Sequence, residues 1–216
     1  MIFTPGHVRF FTSKFVGQII HHSQKADTAE VRDVYDRGND FYGWFLGDRM
    51  VYTSGIFEDQ NETLEAAQDR KMDLVCRMSR MKPGYKHLDI GCGWGALICH
   101  AAKNYGTISE GVTLAREQRE YCLNVFAPQY KVEGKVNVLC MDYRDIPKKQ
   151  YDAITCLEMA EHVGVKNFNT FLNQVKSMLT DEGVFYLQIA GLRRAWQFED
   201  LIWGLFVSLF IFNFFK

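Results

Sequence analysis

Apolar and polar positions along the chain change their period once, near residue 83. From Thr28 to Leu46 the pattern is helical but interrupted at Gly38, which predicts two short helices. Asn61 to Met81 predicts one long helix, because Leu64, Ala67, Leu74, Val75, Met78 and Met81 recur at helical spacing behind a capping Asn61. Pro83-Gly84 then ends it. Beyond that point short apolar runs alternate with helical ones. Strands are expected at Lys86–Ile90, Thr107–Val112, Val136–Cys140, Tyr151–Leu157 and Gly183–Ile189, and helices at Ala96–Asn104, Ala115–Phe126 and Lys166–Leu179. Such alternation implies a mostly parallel sheet covered on both faces. Right-handed crossovers then make it Rossmann-like, with its ligand at the carboxyl ends of the strands.

Composition narrows the partners. The chain of 216 residues can bury one core with a helical attachment, and 47% hydrophobic with 24% charged residues is ordinary for a soluble domain. A net charge of -1 supplies no field for a phosphate backbone, so nucleic acid is not an expected partner. The 17 phenylalanines suit an apolar substrate. Six cysteines form no C-x-x-C pair, and no His stands at metal-ligand spacing from two of them, so free thiols in a reducing compartment and no metal are expected. Met1 to Ile20 contains no continuous apolar run of the kind a signal peptide needs.

The chemistry centres on Asp89-Ile90-Gly91-Cys92-Gly93-Trp94-Gly95, which leaves the first strand and opens the helix beginning Ala96-Leu97. Three glycines let the backbone turn tightly and approach a ligand, and the helix N-terminus offers free N–H groups to a carboxylate. G-x-G-x-G is not the G-x-G-x-x-G of pyrophosphate binders, which favours S-adenosylmethionine over a nicotinamide cofactor. The alternative is a tight strand–helix turn without a ligand. Thr113-Leu114-Ala115-Arg116-Glu117-Gln118 follows the second strand, where Thr113 and Gln118 either meet the ribose and methionine end or cap the helix. Asp142, with Tyr143 and Arg144, either accepts from the adenine amino group or caps a loop. After the fourth strand, Glu158 or Glu161 is a candidate to stabilise a developing cation, and Glu161 or His162 to remove a proton. The alternative there is a solvated loop with one salt bridge.

Five ordered motifs resemble the cyclopropane-fatty-acid synthase family: Tyr35-Asp36-Arg37-Gly38-Asn39-Asp40-Phe41-Tyr42, Met50-Val51-Tyr52-Thr53-Ser54-Gly55, the Leu88–Gly95 turn, Asp142-Tyr143-Arg144-Asp145 and Glu161-His162-Val163-Gly164. Within it, the run from Cys156 to Gly164 and Gln188-Ile189-Ala190-Gly191-Leu192-Arg193 resemble the fungal sphingolipid C(9)-methyltransferases. The resemblance implies an α/β, Rossmann-like fold of the class I S-adenosylmethionine-dependent methyltransferases, with N-terminal helices. It also implies methyl transfer to carbon 9 of the sphingoid base of a ceramide with a double bond at carbon 8. Alternatives are a cyclopropane synthase on unsaturated acyl chains and an inactive cofactor-binding fragment. By the same matching, Tyr52 and Thr53 join the residues from Asp89 to Leu97, those from Thr113 to Gln118, and Tyr143-Arg144 as cofactor contacts. The family holds a bicarbonate as base. Of its ligands a Glu matches Glu161, while Ser54 and Gln188 stand at the Cys and His positions and both can donate to an anion. A membrane-surface location, at the cytosolic face of the endoplasmic reticulum, is implied likewise.

Residues 1–82 are expected to form a helical segment over the site, and 83–206 a methyltransferase core lacking the last two of seven strands. From Trp203 to Phe215 the chain is almost wholly apolar, yet at about 1.5 Å per residue it is too short for a bilayer core of about 30 Å. An interfacial anchor, a core-facing helix and translated intron are the three readings of this tail. The last is favoured for 207–216, since Val207-Ser208 can be encoded by a splice-donor sequence.

Overall fold

The computed structural model describes residues 38–190. The first half of the Thr28–Leu46 helical stretch, Tyr35-Asp36-Arg37, Gly191-Leu192-Arg193 and the apolar C-terminal run all lie outside the described residues.

All five predicted strands form, and every pairing is parallel: β1 (Lys86–Ile90), β2 (Ile108–Thr113), β3 (Val136–Cys140), β4 (Tyr151–Leu157) and β5 (Leu179–Gln188) lie in the order β3-β2-β1-β4-β5. The order reverses direction at β1, so the crevice for a ligand opens between the carboxyl ends of β1 and β4. β5 begins four residues earlier than periodicity predicts, because Leu179 pairs with Tyr151 before a register shift brings Val184 opposite Ala153. One face of the sheet is covered by α2 (Leu64–Met78), α3 (Ala96–Asn104) and the helix after β2, the other by α6 (Val165–Met178). Phe171, Val175 and Met178 of α6 pack into the cluster that holds Leu88, Ile90 and Ile154.

Two helices depart from the sequence expectation. The helix cap of α2 is Thr63, whose Oγ1 accepts from the Ala66 N–H at 3.2 Å, whereas the Asn61 N–H is spent on Asp59. Its buried face also differs: Ala67, Gln68, Lys71, Met72, Val75 and Cys76 face inward, and Met78 is exposed. The polar members each have hydrogen bonds, Lys71 through Nζ and Gln68 through Nε2, while Gln68 Oε1 has no partner among the described residues. Gln68 Nε2 donates to the Leu46 carbonyl at 2.9 Å and so fastens the end of α1 (Asn39–Leu46). The second departure is the run predicted as one helix from Ala115 to Phe126. It is α4 (Arg116–Tyr121), a π-helical turn (Cys122–Phe126) and α5 (Ala127–Tyr130). Pro128 supplies the reason: its ring would strike the carbonyl four residues back and it has no N–H to donate, and a widened turn just before it relieves both. The turn places Cys122 directly beneath Gly95.

A polar chain runs through the sheet interior. Asp89 Oδ1 accepts from Thr155 Oγ1 at 2.6 Å, and the His87 ring lies between Thr155 Oγ1 (2.8 Å) and Ser109 Oγ (3.1 Å). With Thr155 donating to Asp89, His87 donates from Nε2 and accepts at Nδ1 from Ser109. Burial pushes His87 down to about 3 and Asp89 up to about 7, the Thr155 hydroxyl acting against the latter.

Two predictions follow from this packing. A carboxyl raised in the folded state holds a proton that the unfolded chain releases, so the Asp89 contribution weakens as pH rises from about 4 to 7. Urea unfolding will show the wild type losing about 1.4 kcal/mol relative to Asp89→Asn per pH unit in that window. At Gly95, φ is 82° and a Cβ would strike Cys122 Sγ. Gly95→Ala will cost about 3 kcal/mol through left-handed strain and overpacking, and Cys122→Ala in the same chain will restore part of it in the same assay.

Candidate active site

β1 ends at Ile90, and the chain turns because the Val112 carbonyl accepts from both the Gly91 and Cys92 N–H groups, each at 3.0 Å. Gly91 has φ 84°, and a Cβ there would lie 2.7 Å from the Met159 side chain, so only glycine lets the β4 loop close over the turn. α3 starts immediately after Gly95 with no side chain capping it, which leaves its first N–H groups unpartnered by any cap. Trp94 is buried, donates from Nε1 to Asn39 Oδ1 at 2.7 Å and packs on Tyr42, which seats α1 over the turn.

The resulting cavity is walled by every strand end that faces the crevice. Of the residues singled out in the sequence, Tyr52, Thr53, Asp89, Ile90, Gly91, Cys92, Gly93, Trp94, Ala96, Leu97, Thr113, Leu114, Gln118, Asp142, Tyr143, Arg144 and His162 line it. Gly95 sits behind the wall against Cys122, and Ala115 is buried. Arg116 and Glu117 point to solvent, Arg116 being paired with Glu120 one helical turn on.

Thr113 and Asp142 each make a local turn hydrogen bond and also face the cavity. Thr113 Oγ1 accepts from the Ala115 N–H at 3.2 Å, as a helix-opening residue does, and donates to Gln118 Oε1 at 2.6 Å while facing the cavity. Asp142 caps the short 3-10 turn Tyr143–Asp145 and takes a two-pronged contact from Arg144 at 2.7 Å to each oxygen. It lines the cavity as well. Thr53 Oγ1 is buried with no hydrogen-bond partner among the described residues, in a side chain that faces the same space.

The residues considered for catalysis separate into two groups. Ser54 and Gln188, which come from opposite ends of the described chain, meet on one carboxylate. That carboxylate is Glu158: its Oε1 accepts from Gln188 Nε2 and from Ser54 Oγ at 3.5 Å. Glu161 lies outside the cavity wall, exposed, with Oε1 accepting from the Ala190 N–H. His162 faces the cavity, one residue further on. Sequence reasoning missed Lys71, which is buried and donates from Nζ to the Ser54 carbonyl at 3.2 Å and its hydroxyl at 3.4 Å. The signal was present: Lys71 falls four residues after Ala67 and four before Val75, on the inward face of α2. Burial pulls its pKa down, and the charge of Glu158 acts to raise it.

The chain is similar to known proteins. Sphingolipid C9-methyltransferase A of Emericella nidulans is 51% identical over 97% of this chain, and the sphingolipid C9-methyltransferase of Komagataella phaffii is 50% identical over 97%. The chain spans 41% and 45% of those two proteins, less than half the length of either. Among solved structures, the mycolic acid cyclopropane synthase CmaA1, complexed with SAH and CTAB, superposes with a TM-score of 0.76 at 26% identity, covering 86% of this chain and 67% of that one. Its fold is that of a class I methyltransferase. Residues 22–213 match the mycolic acid cyclopropane synthetase family, and the chain belongs to that family.

Proposed function

We propose that this chain binds S-adenosylmethionine in the cavity above the Gly91–Gly95 turn and methylates carbon 9 of the sphingoid base of an 8-unsaturated ceramide. The observation that carries the reading is a fit of donor groups to cofactor groups. The uncapped N-terminus of α3 suits the methionine carboxylate, and Asp89 beside it suits the ammonium. The unpartnered Thr53 hydroxyl gains a partner from a ligand in this space. Thr113 with Gln118 takes the ribose hydroxyls, and Asp142 the adenine amino group. The identity of the fungal relatives supports the substrate class.

When bound, the cofactor supplies an electrophilic methyl: the alkene π pair forms the new carbon–carbon bond, and the carbon–sulfur pair stays with sulfur. An alkene is a weak nucleophile, so the protein must hold it in line, exclude water and offer charge to the cation left at carbon 8. Met50, Val51, Met72 and Leu157 supply the apolar part of the wall. Residues 38–82 act in this reading as the cover of the site. Trp44, which is 83% exposed, and Phe45, Phe57 and Tyr52, also exposed, lie on that cover. Their rings support work at a membrane surface, on the cytosolic face of the endoplasmic reticulum. No described helix is long and apolar enough to cross a membrane.

Purified chain titrated with SAH in a calorimeter will show saturable binding, weakened at least about tenfold by Asp89→Asn. Incubation with 8-unsaturated ceramide and methyl-deuterated cofactor, followed by mass spectrometry, will give a product branched at carbon 9. Absence of SAH binding sinks the cofactor assignment. A cyclopropane product instead of a branched alkene replaces the reaction with that of the acyl-chain synthases.

A further inference from the structure

The carboxylate of Glu158 is held more firmly than a loop side chain after a strand requires. Its backbone has φ 53°, a left-handed conformation that costs a non-glycine residue about 1 kcal/mol or more and persists only where the surroundings enforce it. The enforcement is visible. The Glu158 N–H donates to the Gln188 carbonyl at 2.8 Å, which continues the β4–β5 ladder one residue past its end. The side-chain amide of the same Gln188 donates to Oε1. Ser54 Oγ approaches that oxygen from the other side, and Ser54 is itself fixed twice by the buried Lys71 ammonium. Oε2 makes no hydrogen bond among the described residues, and the side chain lines the cavity. On the floor, Met159 packs over Gly91, so this carboxylate stands one residue from the turn on which the cofactor assignment rests.

Resting on the function proposed above, we infer that the Glu158 carboxylate is the group that faces the cationic carbon and takes the proton from carbon 9. In that step the C9–H bond breaks, its electron pair restores the double bond between carbons 8 and 9, and the proton passes to a Glu158 oxygen. Glu158 then returns it to water. Ser54, Gln188 and Lys71 are positioning residues: they aim one oxygen inward by occupying the other, and the lysine balances the charge. Glu161, tied to the Ala190 N–H outside the wall, is not in place for this role.

The test compares wild type with Glu158→Gln, which keeps the shape and removes the charge. The probe is tetradecyltrimethylammonium below its micellar concentration, titrated into protein saturated with SAH; its quaternary nitrogen imitates a carbocation on an alkyl chain. Glu158→Gln will weaken this cation at least about tenfold, leave SAH affinity within about threefold, and lower ceramide methylation at least about a hundredfold. Equal ammonium affinity in the two proteins overturns the inference whatever turnover does, and undiminished turnover in the variant overturns it as well. If the wild type methylates no 8-unsaturated ceramide, the sphingoid reading fails, and the ammonium titration still decides on Glu158. Should Glu158→Gln lose SAH binding, Glu158→Gly, which relaxes the left-handed backbone, gives the same comparison.

Discussion

The double acceptance at the Val112 carbonyl governs the arrangement of the whole site. By taking the N–H groups of both Gly91 and Cys92, this single oxygen on β2 turns the end of β1 back over its neighbour and launches α3 upward from the sheet. The consequences spread outward in contact. The turn can be this tight only if Cys92 fits beside Gly111 and Cys122 beneath Gly95, so two side chains, one on the turn and one on the π-helical turn, are seated against two glycines. Trp94, carried by the same turn, then supplies the surface on which Tyr42 and Asn39 dock. The glycine turn and α1 are thus one packing unit.

A second theme is the placement of polar groups in positions that periodicity assigns to the core. Gln68 and Lys71 lie on the inward face of α2, and His87, Asp89 and Thr155 lie inside the sheet. Each has at least one specific partner, which offsets part of the desolvation cost locally, although Gln68 Oε1 has none among the described residues. In both cases the polar chain ends at the cavity: Thr155 aims Asp89, and Lys71 fixes the Ser54 that meets Glu158. Buried polarity in this fold is concentrated where a bound ligand would meet charge.

The sheet was legible in the sequence because parallel strands buried on both faces read as apolar runs between helical segments, and three of five strand bounds coincide with the pattern. The glycine turn was legible because its chemistry is local. What escaped was non-local. Thr63 and Asn61 are both competent caps, and the choice follows from the helix opening at Leu64, which puts Thr63 at the cap position. The π-turn at Cys122–Phe126 requires weighing Pro128 against a run that otherwise looks helical. Glu158 could be named as one of two carboxylates beside the site. Its selection over Glu161 depends on Ser54 and Gln188, 104 and 30 residues away. No window along the chain contains that information.

The strand order carries a kinetic consequence. With every pairing parallel, no two strands can zip up as a hairpin, and each contact waits for a helix to cross the sheet. The central pair is the most demanding, since β1 must find β4 across the whole length of β2 and β3 before the switch-point crevice exists at all. Loop closure of that span precedes the reward of burial, which makes for slow folding with the half-formed sheet exposed. The cavity between these strands is therefore among the last features to appear as the chain folds, and a ligand that gripped both β1 and β4 would act as a late clasp on a slowly assembled sheet.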